Sequence, residues 1–245
     1  MSLAWTSAPS PDSPANPALA TWPLVRMRLR GDQAEMGRQQ AAILLEIGGW
    51  EPLVPFYPRM PALLLGASMP PQLRARVEPI IGRIVRRLAH RMARRRETMF
   101  PEYHARTLEL LDAAQVTREL ARSFLVMDVF QNAVGLVGRM GLLETLSVGT
   151  TVPGCCSSLA VWDTNSADGS LRHARNFDFP GAGIWDDAPA VVLCEPDDGI
   201  RYGFVTTRGA DVPGVTCFNE AGLTMTAHTR FHRDVSFSGG SIIDI

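Results

Sequence analysis

The chain contains no lysine: all 24 of its lysine-plus-arginine residues are arginine. The simplest source of that bias is GC-rich codon usage, yet it has a chemical consequence, because Schiff-base chemistry and any lysine general base are excluded. Cysteine is scarce as well, with four residues at 155, 156, 194 and 217. None forms a C-x-x-C pair, so neither a zinc ribbon nor a thioredoxin-type motif is expected, and no metal site. A net charge of −1 lacks the basic excess that nucleic-acid binding requires. No run approaches the ~18 apolar residues of a membrane helix. The opening "MSLAWTSAPSPDSPANPALATW" has neither the basic start nor the apolar run of a signal peptide. The expectation is a cytoplasmic protein without disulfides and without membrane contact.

What is present changes character near residue 150. Residues 1–30 are rich in Pro, Ser and Ala and read as a disordered lead-in. From about 32 to 147 the periodicity is helical. "DQAEMGRQQAAILLEIGGW" opens on Asp32 as an N-cap. "PQLRARVEPIIGRIVRRLAHRMARRRE" places Ile81, Ile84, Val85, Leu88 and Met92 on one face, and "PEYHARTLELLDAA" and "TRELARSFLVMDVFQNAVGL" complete four helices. The proline-rich "EPLVPFYPRMPALLLGASMPP" between them cannot be one continuous helix. Seven arginines fall between Arg83 and Arg96, which reads either as a solvated helix face or as an amphipathic helix that meets an anionic surface.

From Ser157 the texture is that of strands. "SLAVWD" and "SLRHARNFDF" flank the turn "TNSADG", and "PAVVLCEP" and "RYGFVTT" flank "DDG". "GVTCFNEAGLTMTAHT" reads as two further strands around "NEAG". Helices followed by an antiparallel sheet make an α+β fold.

The doubled cysteine of "VPGCCSSLAVW" is the chemical question. A buried pair packs as small hydrophobes and needs no function. A vicinal dithiol could sense redox state. Only His173, His228 and His232 follow, without the local signature of a papain-like thiol protease.

The ordered set Cys156-Ser157-Ser158, Asp168-Gly169 and Arg175-Asn176-Phe177-Asp178, with the later "CFNEAGLTM", resembles the N-terminal-nucleophile (Ntn) cysteine hydrolases. The likeness is to the branch of acyl-CoA:6-aminopenicillanic acid acyltransferase, acid ceramidase and the bile-salt and penicillin V acylases, and "GDQAEMGRQQAAIL" is similar to that branch's pro-region. The resemblance implies a helical pro-region over 31–155, cleavage between Cys155 and Cys156, and a catalytic domain of an αββα sandwich from 156, here 156–245 and incomplete. It implies Cys156 as nucleophile, with Arg175 by the thiol or substrate carbonyl and Asp178 holding the new α-amine. An α-amine of pKa about 7.7–8.0 can accept the thiol proton, so no histidine is needed. Relatives carry an asparagine as oxyanion donor after the Asn-Glu-x-Gly-Leu strand; His228 and Thr229 occupy that neighbourhood, and Asn219 reads as a turn residue. The implied activity is amidohydrolase or acyltransferase on a small N-acyl amide or acyl thioester. No cofactor is implied, although an acyl-CoA can be the co-substrate, and the cleaved segments are expected to stay associated. A non-catalytic acyl- or lipid-binding relative is the rival reading.

Overall fold

The computed structural model describes residues 24–47, 71–117, 156–177, 189–207 and 213–228. The lead-in before 24, the proline-rich connection, the fourth helix read over 117–136 and the Cys155 side of the proposed junction lie outside the described residues.

Val25, Met27 and Leu29 alternate with Arg26, Arg28 and Arg30, and this period of two makes a strand with one apolar face, β1 (Val25–Gly31). Met27 and Leu29 are fully buried while the arginines are exposed. The lead-in read over 1–30 therefore gives way to regular structure by residue 25, because the alternation buries enough apolar surface to order the chain.

Gly31 turns out of β1 at φ +108°, a conformation open to glycine, and Asp32 caps α1 (Gln33–Glu46). The Asp32 carboxylate accepts the Glu35 amide at 2.7 Å, satisfying one of the helix's free donors. Two further helices follow, α2 (Pro71–Met99) and α3 (Pro101–Ala113), the latter with proline at its first position.

Six strands come after them: β2 (Ser157–Asp163), β3 (Gly169–Asn176), β4 (Pro189–Pro196), β5 (Tyr202–Thr207), β6 (Thr216–Asn219) and β7 (Thr224–Thr226). β2 and β3 form a separate antiparallel hairpin, and the rest form one sheet in the order β1-β4-β5-β6-β7. That sheet is mixed, not purely antiparallel as expected, because β1 pairs parallel with β4 from Val25↔Ala190 to Gly31↔Pro196. The architecture is α+β.

One face of the sheet is covered by α1 and α3. Met36, Ala41 and Leu44 of α1 and Leu110 and Leu111 of α3 pack with Met27, Leu29, Val192, Cys194 and Phe204. Segments before and after Cys156 thus share one sheet and one core. On the opposite face Arg28 and Arg30 donate through Nε to the Glu195 carboxylate at 2.6 and 2.7 Å, clamping β1 to β4. Burial pushes the Glu195 carboxyl up, but the hydrogen bond and charge of Arg28 and the charge of Arg30 outweigh it and hold the carboxyl below its usual range.

Arg106 of α3 is fully buried in this core. It donates to Gln40 Oε1 at 2.5 Å and to Tyr202 Oη at 2.8 Å, lies 3.2 Å from Cys194 Sγ, and sits over the Phe204 ring at 5.7 Å. One guanidinium thereby joins α1, α3, β4 and β5. Burial pushes the Tyr202 phenol well above its ordinary range, so it stays neutral.

Candidate functional site

The β2–β3 hairpin carries the two site residues that the structure brings together. Its turn is built by Asp168, whose carboxylate accepts from the Ser170 amide at 3.1 Å, from Ser170 Oγ at 2.5 Å and from Ser166 Oγ at 3.0 Å. Arg172 adds an ion pair at 3.1 Å. The Ser170 and Ser166 hydrogen bonds, followed by the Arg172 charge, hold the Asp168 carboxyl well below the usual carboxylate range. Gly169 then starts β3 at φ +72°. The register that results pairs Ser157 with Asn176 and Ser158 with Arg175, which returns Arg175 next to the start of β2.

Cys156 immediately precedes that start and is partly exposed, with a free thiol. Arg175 Nη2 lies 3.4 Å from Cys156 Sγ. The same guanidinium donates to the backbone carbonyls of Val215 and Ala227 and to Thr216 Oγ1, and stacks over Phe177 at 4.7 Å. Its Nε is buried without a protein partner. All of these partners are uncharged. Arg175 therefore fastens the hairpin to the β6–β7 end of the main sheet while keeping its charge beside the thiol. His173 Nδ1, 2.9 Å from Thr224 Oγ1, makes a second link to β7.

His228 also reaches the site. Its Nδ1 is 3.1 Å from the Cys156 carbonyl oxygen and its Nε2 is 3.1 Å from Thr226 Oγ1, so the ring bridges the end of β7 to the residue carrying the thiol. Asn219 does not reach it. Its Oδ1 accepts the Leu223 amide at 3.0 Å, closing the β6–β7 turn in which Gly222 takes φ +87°. Cys155, Asp178 and Thr229 lie outside the described residues.

The backbone acceptors of Arg175 have no counterpart in sequence reasoning, since any residue supplies a carbonyl. His173 carried a signal: it occupies "LRHAR" at the position two before Arg175, which in a strand is the same face. Among the described residues no group of three His, Cys, Asp or Glu side chains is placed to hold a metal, and no helix is long and apolar enough to cross a membrane.

The arrangement offers a thiol with a fixed cation at its side and a histidine on its main chain. No protein-family model matches the chain, and no curated protein matches it.

Proposed function

We propose that this chain is an Ntn cysteine amidohydrolase or acyltransferase, whose described strands and helices are part of an αββα sandwich and its helical pro-region over 31–155. The observation that carries the reading is the Arg175–Cys156 contact at 3.4 Å, on the first hairpin after the doubled cysteine.

Cleavage of the Cys155–Cys156 peptide bond gives Cys156 a free α-amine. The amine takes the thiol proton, the sulfur attacks the carbonyl carbon of an N-acyl amide, and collapse of the tetrahedral adduct expels the amine leaving group with that proton. Water or an acceptor amine then resolves the acyl thioester and regenerates the thiol. Arg175 donates to sulfur or to the substrate carbonyl, and Asp178 holds the α-amine. His228, on the Cys156 carbonyl, orients the nucleophile; with Thr229 it makes up the neighbourhood from which an oxyanion donor comes. Such a donor is worth ~3 kcal/mol in the transition state. The partner is a small N-acyl amide or acyl thioester. No cofactor enters the scheme beyond an acyl-CoA as alternative acyl donor, and a reducing cytoplasm keeps the nucleophile as a thiol.

Intact-mass measurement of the purified protein tests this. The expected result is two fragments split before Cys156, and a single uncut chain for Cys156→Ala. An uncut wild-type chain sinks the proposal in favour of an acyl-binding domain or a dithiol sensor, and a split before Cys155 moves the nucleophile by one residue. An acyl-amide panel on the processed protein then identifies the substrate.

A further inference from the structure

Helix α2 takes no part in the chemistry proposed for Cys156, yet it is the most charged of the described elements. Of its 29 residues, nine are arginine and two are glutamate. Arg87, His90, Arg91, Arg94, Arg95 and Thr98 follow the i, i+3, i+4, i+7 spacing of a single helical stripe and line a cavity of about 570 Å³.

The charges on this stripe are not neutralised within the described protein. No carboxylate lines the cavity among the described residues. The ion pairs among those residues engage Arg28, Arg30, Arg38, Arg172 and Arg201, and none of the four cavity arginines. Arg95 is half-buried, and its Nη1 is buried with no hydrogen-bond partner. Arg87, Arg91 and Arg95 stand at successive i, i+4 positions, where like charges repel by about 0.2–0.5 kcal/mol per pair. A helix with that repulsion and an orphaned buried donor gains from a multiply charged anion lying along it.

We propose that the α2 stripe is a binding site for a phosphoryl group, carried by a soluble phosphorylated molecule or by a lipid headgroup. Guanidinium forks match the paired oxygens of phosphate, which each can engage with two parallel hydrogen bonds. A carboxylate brings a single charge to four cations, whereas a diphosphate brings two or three. The inference stands apart from the Cys156 chemistry and survives its failure.

The test uses the full chain. Isothermal titration with inorganic pyrophosphate forms one arm, and co-sedimentation with phosphatidylcholine vesicles, with and without phosphatidylglycerol, forms the other. Saturable pyrophosphate binding that weakens at least about tenfold in Arg91→Gln/Arg94→Gln supports a soluble ligand. Sedimentation only with phosphatidylglycerol, lost in the same variant, supports a lipid headgroup. Arg87→Gln is the milder second variant, and Arg26→Gln, an exposed arginine on β1, is the control that leaves binding unchanged. Circular dichroism and urea midpoints confirm that each variant folds. No binding in either arm, or binding that the α2 substitutions leave as strong as the Arg26 control, overturns the proposal.

Discussion

Arg175 and Cys156 meet at 3.4 Å across 19 residues of chain, and the guanidinium that touches the sulfur also spans three acceptors at the start of β6 and the end of β7. The anchoring of the hairpin and the charge beside the thiol are thus vested in one side chain. Arg175→Ala leaves the Ala227 carbonyl without this donor, while the Val215 carbonyl keeps the Ala227 amide at 2.9 Å, and is expected to cost about 1–3 kcal/mol of stability. Arg175→Lys keeps the charge but lacks the fork, so it regains part of that stability and little of the processing. Urea unfolding and intact mass, read side by side, separate the two effects.

The hairpin that presents both residues is expected to loosen in acid. Asp168 ionises more readily in the fold than in the unfolded chain, where its pKa is about 3.9. A depressed carboxyl stabilises fully above the unfolded value, and that contribution is lost as pH falls through the folded one. Asp168→Asn removes it at neutral pH. The thermal midpoints of wild type and Asp168→Asn should differ near neutrality and converge at the lowest pH; a constant gap would contradict the assignment.

Gly37 sets how closely α1 and α3 approach. A Cβ there would press on the Arg106 carbonyl and lie 3.2 Å from Leu110 N, both backbone and unable to rotate away. Gly37→Ala gains ~1 kcal/mol of helix propensity but incurs an overpacking cost of about 1–3 kcal/mol. The net expectation is destabilisation, visible as a lower urea midpoint, with the Arg106 network displaced.

If the chain is cut before Cys156, its two pieces should not part. β1 lies against β4 through seven register pairs, and the core draws on both sides of the junction. The fragments are expected to co-elute in native size-exclusion chromatography and separate only in denaturant. Glu195→Gln, which removes the carboxylate shared by Arg28 and Arg30, should lower the denaturant required.

Much of this was legible beforehand where local rules act alone. Asp32 caps its helix, Gly169 and Gly222 sit where the turns need positive φ, and all three hairpins fall on their turn residues. β1 escaped because the Pro, Ser and Ala content upstream masks a short alternation that only a partner 165 residues away makes stable. The order of Cys156 and Arg175 was legible, since a tight turn must bring one back beside the other. What holds Arg175 was not, because backbone carbonyls leave no mark in a sequence. Asn219 lies on the legible side: it reads as a turn residue in "NEAG", and its Oδ1 accepts the Leu223 amide to close that turn.

The parallel pairing of β1 with β4 also constrains the order in which this protein can come into being. Arg30 and Glu195 are register partners 165 residues apart, so β1 has no sheet to join until Glu195 and the rest of β4 have been synthesised. Closing so long a loop makes such pairings slow steps in folding. In the interval Met27 and Leu29 are exposed on an unpaired strand, a template for other chains. The arginines that alternate with them add charge to that strand, and so keep nascent copies apart until Glu195 arrives to receive two of the three.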